Sequence, residues 1–183
     1  MTTTSKQLDR LIVNDRIHLS EILSSDVPAF VKHLNQDKDI YERTFRVPYP
    51  YKEEDANWFV NLQQERSVNG HPQTLAIRLT DTLELIGCVG FTDVWQNSAE
   101  LGYWLAKPHW GQGIMTKVVQ AMCQHYATKT DCRWQSIIAK VFDTNAASAR
   151  VLEKNGFVFK ELLPRHLKKD DKWRDAKVYK LEL

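Results

Sequence analysis

Residues 99–116 read AELGYWLAKPHWGQGIMT, and two kinds of local pattern follow one another in this stretch. The apolar residues Ala99, Leu101, Tyr103 and Leu105 alternate with other residues, which predicts a β-strand. Two glycines come next, and apolar residues then recur through position 126 at the spacing of one helix face. The stretch therefore predicts a strand, a glycine-containing turn and a helix in direct succession.

The predicted turn has the features of an anion site. Gly111 and Gly113 carry no Cβ to hold a phosphate away from the backbone, and free amides at a helix start attract anions. No Asp or Glu occurs in residues 101–130, whereas Lys107, Lys117 and Lys129 do. We predict a phosphate-binding turn. A plain glycine loop before a core helix is the alternative, because short glycine patterns often arise by chance.

Two other phosphate motifs do not fit this turn. A Rossmann turn needs G-x-G-x-x-G, but position 116 is Thr, and the strands before the turn are predicted to be antiparallel. A P-loop needs Gly-Lys-Ser or Gly-Lys-Thr, which this turn lacks.

The surrounding sequence predicts one α/β (α+β) domain over residues 1–183. Short links join the predicted strands 75–79, 85–91 and 99–105, which favours an antiparallel meander. Further strands are predicted at 11–13, 17–19 and 137–142 and on both sides of the polar turn 168–172. Helices are predicted at about 27–34, 53–66, 113–128 and 145–155, with a loop-like aromatic segment at 37–51. We expect a mixed, mostly antiparallel central sheet of about six to seven strands with about four helices.

Composition excludes several classes of protein. A hydrophobic fraction of 43% in 183 residues can form a core, which argues against disorder. A net charge of +2 gives no reason to expect nucleic acid, and the acids among the basic residues 168–174 favour a solvated turn. The three cysteines are interpreted as free thiols, since their spacing fits no metal site. No leader or membrane span is predicted, so a cytoplasmic location is expected.

Several blocks resemble the GCN5-related N-acetyltransferases (GNAT), in particular the branch that acetylates the N-termini of ribosomal proteins. GYWL at 102–105 followed by WGQGI at 110–114 is similar to that family's coenzyme A strand and pyrophosphate loop. NAASARVLEKNGF at 145–157 resembles its second hallmark, and PYPYKEEDA at 48–56 and RDAKVY at 174–179 resemble the branch. The family's loop pattern, Gln/Arg-x-x-Gly-x-Gly/Ala, places Trp110, Gly113 and Met115 at its defined positions. Two of these three positions depart from the pattern: Trp110, which also occurs in this branch, and Met115, which replaces the small residue expected there.

The resemblance implies a GNAT fold that is splayed at its central strands, with acetyl-CoA as the cosubstrate and no metal. Pantetheine would pair with the backbone near Trp104 and Leu105. The pyrophosphate would lie on the amides of residues 112–116. The implied cofactor-binding residues are Trp104, Leu105, Gln112, Gly113, Ile114, Met115, Thr116, Asn145 and Ser148. The implied partners are acetyl-CoA and an amine acceptor, without nucleic acid or membrane. A homodimer stays open.

Acetyl transfer from a thioester to an amine needs a base, a donor to the oxyanion and an acid for the leaving thiolate. Glu100 is the candidate base, because alternation places it on one strand face with Gly102 and Trp104. An ion-paired or solvated glutamate, with a water relay as base, is the alternative. By resemblance, a backbone amide near Leu105 would serve the oxyanion.

Ser148 is the candidate acid, again by resemblance. Asn145 lies three residues earlier, which places both polar side chains on one helix face. Helix capping by Asn145 is the alternative explanation of this pair. Three tyrosines are rival acids, although each also suits the core: Tyr103, Tyr126 and Tyr179.

The free energy needed to make the acceptor amine neutral favours one class of acceptor. A Lys side chain with a pKa of about 10.4 needs about 4.6 kcal/mol to be neutral at pH 7, whereas an α-amine with a pKa of about 7.7 needs about 1 kcal/mol. We therefore expect a peptide or protein N-terminal α-amine as the acceptor. A small amine such as a polyamine or aminoglycoside, and a non-catalytic acyl-CoA-binding module, are the alternatives.

Overall fold

The computed structural model describes residues 10–69, 74–95, 97–128 and 134–183. Within these ranges one sheet has eight strands in the order β1-β2-β3-β4-β5-β6-β8-β7. The strands are β1 (Leu11–Asn14), β2 (Ile17–Ser20), β3 (Thr74–Leu79), β4 (Leu85–Trp95), β5 (Ser98–Leu105), β6 (Ser136–Phe142), β7 (Val158–Lys169) and β8 (Lys172–Glu182). The α-helices are α1 (Val27–Leu34), α2 (Asp39–Arg43), α3 (Glu53–Val68), α4 (Ile114–Ala127) and α5 (Ala146–Lys154).

The predicted α/β fold and the antiparallel meander are confirmed. Strands β3, β4 and β5 pair antiparallel in sequence order, whereas β5 and β6 pair in parallel. The sheet has eight strands rather than six to seven, and the described chain has five α-helices rather than four. The additional helix, α2, lies inside the segment 37–51 that was predicted to be loop-like. Tertiary contacts to the last two strands hold this short helix, and local sequence patterns do not report such contacts.

Helices pack on both faces of the sheet and form two apolar clusters. Alternation along β5 assigns its side chains to different faces. Leu101, Tyr103 and Leu105 pack with the cluster that contains residues of α4 and α5. Trp104 packs with the cluster that contains residues of α1 and α3. Neighbouring side chains of β5 therefore face opposite sides of the sheet.

The sheet splits between β5 and β6. Their parallel pairing runs from Ser98 opposite Ser136 to Glu100 opposite Ile138. Beyond this point β5 stays paired with β4 as far as Leu105, and β6 stays paired with β8 as far as Phe142. A wedge-shaped opening, called the split below, therefore begins next to Glu100 and widens toward the ends of the two strands.

The β7–β8 hairpin holds α2. Lys169 Nζ donates to the carbonyl oxygens of Tyr41 and Thr44, the second at 2.6 Å. The hydroxyl of Tyr41 donates to Asp170 at 2.8 Å, and Arg174 Nη2 pairs with Glu42 at 2.5 Å. The predicted hairpin turn is present, but Lys169 is buried rather than solvated. The segment 37–51 is thereby attached to strands late in the chain.

Two of the three cysteines can be placed. Cys88 and Cys123 are buried free thiols, as predicted, and Cys132 lies outside the described residues. Among the helices that the structure describes, none has the length and apolar character needed to cross a membrane.

Candidate active site

A cavity of about 890 Å³ follows the split and is lined by residues from both faces of the sheet. Its wall includes the candidate residues of β5, the glycine turn, the first turn of α4 and the start of α5. The predicted site residues on this wall are Glu100, Trp104, Leu105, Gly113, Ile114, Met115, Thr116, Asn145 and Ser148. Gln112 lies beside this wall, where its Nε2 donates to the carbonyl of Pro108 at 3.1 Å.

The two glycines of the turn adopt a conformation that leaves the backbone open to the cavity. Gly111 and Gly113 have φ angles of +73° and +72°, in the left-handed region that glycine favours. An added Cβ at either position would meet no other atom within 4 Å, so open space lies above both. Gly113 is the N-cap of α4, where no side chain caps the helix and its first turn has no acid. The free amides and the positive end of α4 therefore face the cavity.

Lys107 and Met115, which flank the glycine turn, are both engaged in contacts with other parts of the chain. Lys107 forms ion pairs with Asp37, at 2.7 Å, and with Asp39, so its charge is already matched by two carboxylates. Met115, in the first turn of α4, is buried and belongs to the core cluster between this helix and the sheet. The methionine side chain is therefore accommodated largely by the core beneath the turn.

The end of β5 presents main-chain groups to the split. The amide of Ala106 donates to Ile86 at 2.7 Å, which makes Gly87 and Leu105 a non-hydrogen-bonded pair. The N–H and C=O of Leu105 consequently point away from β4. Trp110 Nε1 donates to this carbonyl at 2.7 Å, so the amide of Leu105 is the group that suits an acceptor atom in the split. By the same alternation, the main-chain polar groups of Trp104 point toward β4.

Glu100 lies at the narrow end of the split. It is the last residue of β5 that pairs with β6, and its side chain is half-buried on the cavity wall. Lys140 Nζ on β6 donates to Glu100 Oε2 at 2.8 Å. The ion-paired alternative for Glu100 is therefore observed, at a position that also suits a base. Its catalytic role stays a prediction.

Ser148 and Tyr103 form one hydrogen-bonded unit. The Ser148 hydroxyl lies 2.8 Å from the Tyr103 hydroxyl, and either oxygen can donate. Burial is the largest influence on Tyr103 and raises its pKa well above the usual value, so its proton is retained at neutral pH. Tyr179 instead donates to Glu153 at 3.0 Å, and Tyr126 stacks on Trp134. Of the three rival tyrosines, Tyr103 is the one on the cavity wall.

Asn145 caps α5, as the structural alternative required. Its Oδ1 accepts from the amide of Ser148 at 3.2 Å, and its Nδ2 donates to the carbonyl of Arg43 at 3.3 Å. A direct contact of Asn145 with a ligand stays a prediction.

The two halves of the candidate chemistry lie on opposite faces of β5. Glu100 and Trp104 occupy the face of α1 and α3, whereas Tyr103 reaches Ser148 on the face of α4 and α5. An amine at Glu100 and a thiolate at Ser148 would thus meet through the split. Lys140 and Arg43 were not predicted from the sequence. Lys140 is brought to Glu100 by the register of two strands, and Arg43 contacts Asn145 across 102 residues. Neither relationship leaves a local sequence pattern.

No cluster of three or more His, Cys, Asp or Glu suited to a metal ion occurs in the described part of the chain.

The family description "Acetyltransferase (GNAT) domain" matches residues 16–158. The ribosomal-protein-serine acetyltransferase of Escherichia coli K12 is 27% identical over 170 residues, which are 91% of this chain and 93% of that protein. The uncharacterized N-acetyltransferase YoaA of Bacillus subtilis is 32% identical over 177 residues, 93% and 96% of the two chains.

Solved structures share the fold. RimL, a ribosomal L7/L12 α-N-protein acetyltransferase in complex with coenzyme A, superposes with a TM-score of 0.86 at 22% identity, over 96% of this chain and 98% of that one. The microcin C7 self-immunity acetyltransferase MccE, in complex with acetyl-CoA and AMP, has a TM-score of 0.82 at 20% identity, over 93% and 94%.

Proposed function

This chain belongs to the acetyltransferase (GNAT) domain family and is an N-acetyltransferase, and we propose that its acceptor is the α-amine of a peptide or protein N-terminus. The observation that carries the proposal is the split beside Glu100, with the glycine turn and the Ser148–Tyr103 pair on its other side. A cytoplasmic location is part of the proposal, because acetyl-CoA and newly made N-termini meet there.

The glycine turn and α5 suit the donor, acetyl-CoA, which supplies an activated thioester carbonyl when bound. Amides from Gln112 to Thr116 would hold the pyrophosphate at the positive end of α4. Pantetheine would lie along β5, where Leu105 directs its N–H into the split. The same N–H would donate to the oxyanion of the tetrahedral intermediate.

Glu100 would act on the acceptor. The neutral amine forms a bond to the carbonyl carbon, and Glu100 accepts a proton from that nitrogen, directly or through one water. Lys140 holds one carboxylate oxygen of Glu100 in place, 2.8 Å away, which orients the group. A pre-oriented base loses less entropy when the amine arrives.

The Ser148–Tyr103 pair would act on the leaving group. As the C–S bond breaks, the Ser148 hydroxyl donates a hydrogen bond to the thiolate and accepts one from the Tyr103 hydroxyl. The thiolate then takes its proton from solvent, and Glu100 releases to solvent the proton that it accepted from the amine. Because burial raises the pKa of Tyr103, this tyrosine stays protonated throughout the neutral range. The pair can therefore donate a hydrogen bond to the thiolate at any pH near neutrality.

Both the chemistry and the relatives support an α-amine. Neutralising an α-amine at pH 7 costs about 1 kcal/mol, against about 4.6 kcal/mol for a lysine side chain. A relative that is aligned over 93% of its length is named a ribosomal-protein-serine acetyltransferase.

The test is acetyl-CoA-dependent acetylation of a panel read by mass spectrometry, beside an acetyl-CoA binding titration. The panel contains α-amino peptides, N-blocked lysine peptides, polyamines and aminoglycosides. Faster acetylation of α-amino peptides is expected. Equal or faster acetylation of N-blocked lysine peptides, or product on small amines alone, would overturn the acceptor assignment. Tight binding without any product would favour a non-catalytic module.

A further inference from the structure

Arg43 spans the wide end of the split. The chain that follows β5 leads to Trp110, and the chain that follows β6 leads to Asn145. The Arg43 guanidinium carbon lies 5.4 Å from the centre of the Trp110 ring, and the Arg43 carbonyl accepts from Asn145 Nδ2 at 3.3 Å. One residue of α2 thus contacts both sides of the opening.

The backbone of Arg43 is fixed, whereas its charge is exposed. Lys169 and Arg174 hold α2 from the β7–β8 hairpin, through Tyr41, Thr44 and Glu42. In the ranges that the structure describes, no carboxylate forms an ion pair with the Arg43 guanidinium, whose identified side-chain contact is the Trp110 ring. The planar fork of this arginine is therefore available for a ligand at the cavity mouth.

The cavity wall carries more positive than negative charge. Its charged residues are Arg43, Arg46, Arg66, Lys140, Arg150 and Lys154 against Asp55 and Glu100. Glu100 is ion-paired with Lys140 at 2.8 Å, which cancels one charge of each sign. Asp55 accepts from the Lys52 amide at 2.8 Å.

The cations divide between two regions. Arg150 and Lys154 lie on α5, whose end is tied to the first turn of α4 by a 3.1 Å hydrogen bond from Asn155 to the Thr116 carbonyl. These two cations therefore belong to the region of the glycine turn. Arg43, Arg46 and Arg66 come from the segment between α2 and the end of α3, which forms the acceptor side of the cavity.

This inference rests on the proposed function: we propose that the preferred acceptor is a peptide with an acidic side chain in its first few residues, and that Arg43 binds that carboxylate. An arginine fork binds a carboxylate through two charge-assisted hydrogen bonds. The positive wall also disfavours a protonated amine and a basic side chain nearby. One charge distribution thus selects the acidic peptide and favours the neutral form of its amine.

Three hexapeptides test the proposal. They share an N-terminal serine and differ only at positions two and three, which are both Glu, both Gln or both Lys. The wild-type protein should have a kcat/KM for the Glu peptide about tenfold above that for the Gln peptide, with the Lys peptide lowest. R43Q should remove most of the difference between Glu and Gln peptides, R43K should keep part of it, and R43E should favour the Lys peptide.

K38Q is the matched control. It removes one positive charge from the residue that precedes α2, outside the cavity wall, and should keep the preference of the wild type. Acetyl-CoA affinity should be equal in R43Q and wild type. Equal rates for the Glu and Gln peptides in the wild type would overturn this inference alone. Weakened acetyl-CoA binding in R43Q with the peptide preference intact would also overturn it, because Arg43 would then be a cofactor contact. Failure to acetylate any of the three peptides would overturn the proposed function as well.

Discussion

Lys140 Nζ lies 2.8 Å from Oε2 of Glu100, across the point where β5 and β6 separate. The ion pair joins the two strands at the narrow end of the split, and it engages the carboxylate that is proposed as the base. Glu100 is therefore both an ion-pair partner that joins two strands and the proposed base, and variants must distinguish these two roles.

Replacing Glu100 by Gln should lower kcat/KM by about 100-fold or more, because a positioned base contributes roughly 10²- to 10⁴-fold. Acetyl-CoA affinity should not change, since Glu100 lies on the sheet face of α1 and α3, opposite the Ser148–Tyr103 pair. Steady-state kinetics with a parallel binding titration measures both. Lys140→Met is the control, because it breaks the same ion pair and leaves the carboxylate. A loss in K140M as large as that in E100Q would show that the ion pair, rather than the base, matters.

Ser148→Ala and Tyr103→Phe should each lower kcat by about tenfold, a modest loss expected when one hydroxyl of a donating pair is removed. The two hydroxyls act through one hydrogen bond, so the double variant should be little worse than the poorer single variant. A double-mutant cycle in kcat measures this coupling. Because burial raises the pKa of Tyr103, the alkaline limb of the wild-type pH profile below pH 10 should be unchanged in Y103F. Additive losses would indicate that the two residues act separately.

Asn145→Ala should destabilise the protein by about 1 kcal/mol through loss of the α5 cap, read from denaturant unfolding. Asn145→Asp keeps the oxygen that accepts from the Ser148 amide and should restore most of this stability. If the Asn145 amide group also contacts a ligand, N145D should be stable and poorly active. A stable and fully active N145D would limit Asn145 to capping.

Gly113→Ala should cost about 1 to 2 kcal/mol of stability, since an L-residue is strained at a φ of +72°. Its Cβ would occupy the open space above the turn, so acetyl-CoA binding should weaken by at least about tenfold. Gly156→Ala is the matched control, because Gly156 has a φ of +81° after α5 and lies outside the cavity wall. It should lose similar stability and bind acetyl-CoA normally. Equal binding by both variants would contradict the phosphate role of the turn.

Lys169 should make stability rise with pH in the alkaline range. Burial lowers its pKa from 10.5 to about 8, so between these values the unfolded chain binds more protons than the folded protein. The free energy of unfolding must then increase with pH in that window. Denaturant unfolding from pH 8 to 10.5 should show the wild type gaining stability relative to Lys169→Met. A constant difference would mean that Lys169 keeps its proton on folding.

Local patterns predicted most of the fold. Alternation along residues 75–105 identified the meander, and the glycines at 111 and 113 identified a turn whose φ angles require them. The helix α2 was missed, because its few residues are held by contacts that arrive from Lys169 and Arg174. Length and periodicity cannot report a partner more than 120 residues away.

The sequence predicted only part of the candidate site, because the other residues of the site depend on contacts that are distant in the sequence. Glu100 and Ser148 stand in recognisable sequence blocks, and the structure places both on one cavity wall. Lys140 became visible only when the parallel register of β5 and β6 was known. Tyr103 was ranked among core aromatics, since a sequence does not tell which of several tyrosines meets a serine on a distant helix.

The attachment of α2 to the β7–β8 hairpin sets an order of assembly. Tyr41 and Asp170, joined by a 2.8 Å hydrogen bond, are 129 positions apart, so a nascent chain must extend beyond α5 before this contact can form. During synthesis on the ribosome, the segment that carries Arg43 can therefore be fixed at the cavity mouth only after the last two strands have emerged.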